Sequence, residues 1–289
     1  MDFFLKEIRS FLVNEIYAVD PSAIKDSRDF GFLLELFGFS RGRFIAEYPC
    51  NWHSFLQREA REMPPLDQAR MCVLLQRFKA HTLPSDVTYL TQDNWLCNAL
   101  KQRAQFTKIV TTPNDEGLPS LEDILCQELA DSQGGHISRD VITYEAIIRP
   151  LFLTSTEIHI QDKYFNFRDK RKLDVMHMLF KLCAIHGRCT SLVFHLGGEE
   201  REHENLSLTR IDTGIESLKA QYPALTLSAT CMWDGGRTHG RYIFSTKGGL
   251  HFDHGFDTDD GKPNRLRLKN HVHWMSRKEL LPLLERYGI

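Results

Sequence analysis

The chain has few cysteines, seven in 289 residues, and no CxxC pair among them. An odd, scattered set (Cys50, Cys72, Cys97, Cys126, Cys183, Cys189, Cys231) argues against both a structural zinc and a disulfide framework. Most lie in apolar stretches such as Met71-Cys72-Val73-Leu74, as small hydrophobes of a reducing compartment do. A charge excess is lacking too: 36 basic against 38 acidic side chains leave a formal charge of -2. Any polyanion-facing surface must therefore be local. No apolar run approaches the roughly 18 to 20 residues of a membrane span. The N-terminus, Met1-Asp2-Phe3-Phe4-Leu5-Lys6-Glu7, has an acid where a secretory leader is basic, so the expected location is the cytoplasm. Internal repeats and low-complexity tracts are also missing. What remains, 42% hydrophobic and 26% charged residues, is the composition of a globular protein with one large domain or two modest ones.

Residues 1–118 read mainly as helices. Phe3, Phe4, Ile8, Phe11, Leu12 and Ile16 recur at helical spacing, predicting a first helix over 2–17. Asn51 is placed to cap Trp52–Met63, Pro64-Pro65 closes that segment, and Leu66, Met71, Leu74, Leu75 and Phe78 continue a third stripe. Thr91 or Asp93 is placed to cap a helix carrying Trp95, Leu96, Ala99 and Leu100. The turn-rich Thr112–Gly117 sets the boundary. Beyond it, Ser120 and Asp123 open a short helix ending near 131–135, and from there helices and strands alternate. The expected helices are Val141–Leu153, Lys170–Ile185 stopped by Gly187, and Ile215–Tyr222. The expected strands are Glu157–Ile160, Cys189–Leu196 and Leu225–Met232. A hairpin around Lys247-Gly248-Gly249 and a final helix with a capping box at Ser276–Glu279 complete an α/β domain over 119–289.

Thirteen histidines raise the question of a metal or an acid-base site. His271 and His273 share a strand face and could share a metal, though a solvated edge strand explains them as well. His177, His186 and His195 lie among apolar residues and read as core or surface positions. Gly197–Glu204 reads as a charged loop. The most informative stretch is Thr238–Gly249 with Asp253–Asp257 after it. His239 and Arg241 emerge from one strand face, where a guanidinium gives a phosphate two donors and the histidine a third, or a nucleophile. Gly248, Gly249 and Gly255 let backbone approach an anion closely. Between Arg237 and Lys269 seven basic residues face four acidic ones, and Arg265, Arg267 and Lys269 alternate along one strand face as phosphate-tracking side chains do. Arg168–Lys172 is a second basic cluster.

These residues carry a resemblance. The phospholipase D superfamily has H-x-K-x4-D followed by a small-residue element. Here His239 stands in the His position, Arg241 for the Lys, Thr246 for the Asp, and Gly255-Phe256-Asp257 near the later element. The stretch is similar to the phospholipase D-like domain at the C-terminus of microtubule-interacting-and-trafficking domain proteins: His239-Gly240-Arg241-Tyr242-Ile243 against H-D-R-x-I, and Ile158–Phe165, containing Asp162, against I-x-D-x-Y. The resemblance spans residues 136–265, about half the chain. It implies a mixed sheet with flanking helices, binding of acidic membranes rather than turnover, dimerisation, and a rim shared by Arg168–Lys172 with the His-Arg strand; no cofactor and no metal are expected. The N-terminal region matches no microtubule-interacting-and-trafficking domain.

The expectation is thus a helical N-terminal region before a phospholipase D-like domain that binds a polyanion through His239, Arg241, Lys247, Arg265 and Arg267, supported by Asp162, Thr246 and Asp257. Nucleic acid is the favoured ligand and an acidic lipid the second, because no basic amphipathic helix is evident. A bacterial antiviral defence role is expected without any residue behind it. Two alternatives stand beside this. One is a phosphodiesterase or nuclease using His239 as nucleophile across a homodimer, from a degenerate motif in which Thr246 cannot orient the histidine as an aspartate would. The other is a non-catalytic assembly subunit.

Overall fold

A computed structural model of the chain describes residues 14–79, 81–113, 117–126, 134–163, 169–196, 208–223, 226, 228–233, 240–259 and 269–289. They belong to two compact units, 14–132 and 133–289, and both are α/β.

The first unit has helices, as expected, and in addition a sheet that was not expected, and it runs to 132 rather than 118. Strands β1 (Glu15–Val19), β2 (Arg43–Glu47), β3 (Thr82–Pro84) and β4 (Lys108–Val110) form a four-stranded sheet. Its order is β3-β2-β1-β4, every pair parallel. The helix expected over 2–17 falls outside the described residues up to 13, and its end is strand β1. The reason is that Ile16-Tyr17-Ala18-Val19 is apolar on consecutive residues, which a parallel strand covered on both faces requires. Tyr17 and Val19 enter a core with Phe30, Trp52, Leu56, Met71 and Phe78. Ala18 faces the opposite core of Ala46, Tyr48, Ala99 and Phe106.

Helices α1 (Ser27–Leu36), α2 (Trp52–Ala60) and α3 (Pro65–Phe78) cover the first face, and α4 (Trp95–Lys101) the second. Asn51 takes the N-cap position of α2 as expected, but its side chain makes no capping bond to the helix. Pro65 starts α3, where a missing N–H costs nothing. The cap of α4 is Asn94 rather than Thr91 or Asp93, its Oδ1 accepting from Cys97 N at 2.8 Å. Helix α5 (Leu121–Cys126) sends Leu121 and Ile124 into the first core, which is why the unit runs past 118.

The second unit holds a mixed seven-stranded sheet, β5 (Gly135–Ser138), β6 (Glu157–Gln161), β7 (Ser191–Leu196), β8 (Ser228–Trp233), β9 (Tyr242–Phe244), β10 (Gly249–Phe252) and β11 (Lys269–Trp274), in the order β5-β11-β10-β9-β6-β7-β8. Strands β6, β7 and β8 are parallel, and β9, β10, β11 and β5 continue antiparallel. Strand β11 is interior, not the solvated edge considered for His271 and His273. Its helices are α6 (Val141–Thr154), α7 (Lys170–His186), α8 (Leu208–Ala220) and α9 (Arg277–Tyr287). Gly187 stops α7 at φ 63°, a left-handed cap that glycine adopts without strain. Ile158, Ile160, Leu192 and Phe194 are buried on one sheet face. The other face carries Tyr242 and Phe244, which pack on Leu280, Leu283 and Tyr287 of α9.

Candidate functional site

Asp162 directly follows β6, and its carboxylate is fully buried. Its Oδ2 accepts from Phe256 N at 3.3 Å and lies 3.9 Å from Lys172 Nζ. Lys172 belongs to the first turn of α7, which Asp169 caps by accepting from Arg171 N. Arg241 enters from the residue before β9, its Nη1 donating to Asp253 O at 2.9 Å. Gly255 separates the two charges: a Cβ there would stand 3.2 Å from Asp162 Oδ2 and 3.5 Å from Arg241 Nε. A side chain there would press on the Asp162 carboxylate, which would have to give by a few tenths of an ångström.

A second layer fastens the loop that carries Gly255. Asp257 pairs with Arg139 and lies 3.5 Å from Arg171 Nη1, and Tyr144 donates to Asp257 O at 3.2 Å. Arg171 grips Asp169 with a two-pronged bond of 3.0 and 2.6 Å. Asn270 is wholly buried; its Oδ1 accepts from His254 N at 2.9 Å and its amide donates to the Tyr144 hydroxyl at 3.3 Å. Among the described residues, three cations (Arg139, Arg171, Lys172) thus meet three carboxylates (Asp162, Asp169, Asp257), with Arg241 beside them on the Asp253 carbonyl. Burial pushes the Lys172 ammonium down, Asp162 and Asp169 oppose this, and Arg241 and Arg171 push it further down. An arriving anion would relieve that repulsion.

The cluster joins some of the sequence candidates and separates others. Asp162 and Arg241 flank Gly255, with Lys172 and Arg171 of the second basic segment at the same end of the sheet. Asp257 serves as a clamp between arginines. Thr246 and Lys247 do not join them: both are exposed in the β9–β10 turn, where Lys247 N donates to Ser245 Oγ. Strand β9 alone, three residues at about 3.3 Å each, puts roughly 10 Å between that turn and Arg241. His239, Arg265 and Arg267 lie outside the described residues. Arg139, Tyr144 and Asn270 were missed because isolated polar residues in helix ends and strands carry no motif; only the tertiary fold brings them together.

The sheet face opposite the apolar one gathers histidines. His136, His271, His273 and His251 follow one another with ring centroids 5.2, 6.1 and 5.1 Å apart. Asp253 lies 3.8 Å from His251 and 3.6 Å from His271, and Glu279 lies 3.3 Å from His273. Among the described residues no group of three or more His, Cys, Asp or Glu side chains is arranged to hold a metal ion. Further along, Glu157 Oε1 accepts from His159 Nε2 at 3.0 Å, which leaves His159 Nδ1 to accept from His195 Nε2 at 2.9 Å. Burial, and then His159, push the His195 imidazole down to about 4.

No protein-family model matches the chain, and no curated protein matches it.

Proposed function

We propose that the chain binds a phosphate-bearing polyanion at the Asp162–Arg241 end of β6 and β9, with nucleic acid the favoured ligand. The observation that carries the reading is the gathering of two cations at one end of the sheet: Lys172 lies 3.9 Å from the buried carboxylate of Asp162, and Arg241 flanks Gly255, close enough to push the Lys172 ammonium down. Two cations gathered in this way are ready for an anion: the Asp162 carboxylate places Lys172 and the Asp253 carbonyl places Arg241 before the ligand arrives, so less ordering is left to the binding step. Arg241 supplies a planar fork for phosphate oxygens, and Lys172 a point charge. The site also lies at the carboxyl end of the parallel strand β6, beside its antiparallel neighbour β9, where loops from different connections diverge.

Filter binding of the intact protein to duplex DNA, single strands and anionic vesicles at two salt concentrations tests this. Nucleic-acid binding should weaken steeply with salt, and Lys172→Met and Arg241→Lys should each cost about 1 to 3 kcal/mol of affinity. Arg241→Lys should weaken binding although the charge is kept. A lowered melting temperature with unchanged affinity would make Arg241 a clamp on Asp162 and remove the proposal. Binding confined to vesicles would reassign the ligand to acidic lipid, and metal-independent cleavage of the nucleic acid would turn the binder into a phosphodiesterase.

A further inference from the structure

In residues 14–132 the chain runs outward from β1 through β2 to β3, then returns past β1 to β4. The connections leaving β1 and β4 therefore diverge at their carboxyl ends, and parallel sheets hold their ligands at such a reversal. A cavity of about 370 Å³ lies there, within the size range of small-molecule sites, roughly 300 to 1,000 Å³. Asp20, one residue beyond β1, and Thr111, one beyond β4, both line it.

The polar floor is built in advance. Asp20 Oδ1 accepts from Ser22 N and Oγ at 3.0 and 2.8 Å, and Oδ2 accepts from Thr111 Oγ1 at 3.3 Å. The carboxylate is thereby fixed in orientation with lone pairs left for a donor on a ligand. The walls are flat: Phe55, Tyr89 and Trp95 line the cavity, Trp95 held by a bond from its Nε1 to Tyr48 O at 3.1 Å. Burial, and then the Asp20 and Asp93 carboxylates, push the Tyr89 phenol up, as befits a hydroxyl facing an acid. Arg58 covers the Phe55 ring at 4.5 Å and is itself solvent-exposed, marking the mouth.

Phosphate is not what this cavity invites. The β1–α1 connection, residues 20–26, contains no glycine, and the first amides of α1 are taken by Asp26, which accepts from Arg28 N at 2.8 Å and Asp29 N at 3.0 Å. We propose that this cavity is a second binding site, for a nucleoside-class ligand: a planar ring stacked among Phe55, Tyr89 and Trp95, and sugar hydroxyls donating to Asp20. This inference does not rest on the polyanion reading.

Equilibrium dialysis of the full chain against adenosine, guanosine, cytidine and uridine tests it. Uncharged nucleosides are suitable probes because they bring no phosphate to the Arg241 cluster. At least one should bind. Asp20→Asn should weaken it about tenfold or more, since a bond to a charged acceptor is lost, and Phe55→Ala several-fold, with DNA binding unchanged in both. If Asp20→Asn does not fold, Phe55→Ala at its half-buried position decides. No binding of any of the four at millimolar concentration overturns the ligand class, and binding indifferent to the substitutions overturns the site.

Discussion

Residues 14–132 and 133–289 solve the burial of a sheet in different ways. In the first, β1, β2 and β4 send apolar residues to both faces, Arg43 at the start of β2 is a buried charge paired with Glu15 of β1 at 2.9 Å, and the other buried polar groups include Thr82 in β3, Thr111 after β4, and Asn98 in α4, its amide donating to Leu90 O. In the second, one face of the sheet is apolar and the other is lined by His136, His159, His195, His251, His271 and His273, with Asp162 and Lys172 buried at its end. The first unit therefore depends mainly on packing, with the Arg43–Glu15 pair at the start of its sheet, and the second on packing together with a cluster of charges that must stay matched. Ionisable groups taken out of water are costly once a partner is missing, so the two units should fail under different insults.

The largest expected effect follows directly. Asp162→Ala leaves the buried Lys172 ammonium without its carboxylate, beside the half-buried Arg241, and should cost about 3 to 5 kcal/mol. Trp52→Ala in the first unit removes a fully buried ring and its bond to Val19 O, with a similar cost of about 3 to 5 kcal/mol. The comparison sharpens in the double variants. Adding Lys172→Met to Asp162→Ala should return part of the loss in urea unfolding, whereas no charge change should rescue Trp52→Ala. If Asp162→Ala alone proves nearly neutral, the matched-charge account of the second unit is wrong.

This difference also explains what the sequence made legible. Helices α6 and α7, strands β6 and β7, the β9–β10 hairpin and the Ser276 capping box are all marked by local signals: a glycine stop, an N-cap, a Gly-Gly turn. Strands β1 to β4 have three to five residues each and no alternation, because both their faces are buried, so Ile16-Tyr17-Ala18-Val19 continues the helical spacing of Phe11 and Leu12 equally well. The site followed the same rule. His239, Arg241, Asp162 and the Arg168–Lys172 segment were flagged as residues of one chemistry. That Lys247 stands at the far end of β9, and that Asp257 is engaged by Arg139, depends on strand lengths and loop paths no motif encodes. Asp20 carried no signal, since a lone Asp-Pro after an apolar run reads as a turn.

Acid should separate the units next. Burial lowers the imidazoles of His159 and His251, and His195 to about 4, against an ordinary 6.5. In the described part of the first unit only His81 is lowered in this way. A histidine held neutral binds fewer protons folded than unfolded, so its contribution is complete above about pH 6.5 and is lost as pH falls from there towards 4. Hydrogen exchange between pH 7 and 4.5 should show β6 and β7 losing protection before β1 and β2. His195→Phe, which keeps a ring against Tyr287, should flatten that dependence. Equal acid sensitivity in both sheets would break the comparison.

The smallest effect is a matched pair of cap deletions. Ser276→Ala removes a hydroxyl that donates to Glu279 at 2.8 Å from the capping box of α9, and Asn94→Ala removes the acceptor for Cys97 N at the start of α4. Each should cost about 1 kcal/mol. Their consequences should nevertheless part company. Helix α9 lays Tyr287 on His195, with ring centroids 3.7 Å apart, and donates its hydroxyl to Gln161; loosening it should let water reach His195 and raise that imidazole towards its ordinary value, a change visible in its NMR titration. Helix α4 carries Trp95 into the cavity beside Asp20, so Asn94→Ala should leave every histidine titration alone and weaken nucleoside binding instead. A crossed result, with Asn94→Ala moving His195, would mean that the two units do not respond separately, and the contrast between a packed sheet and a charge-matched one would have to be replaced by a shared stability.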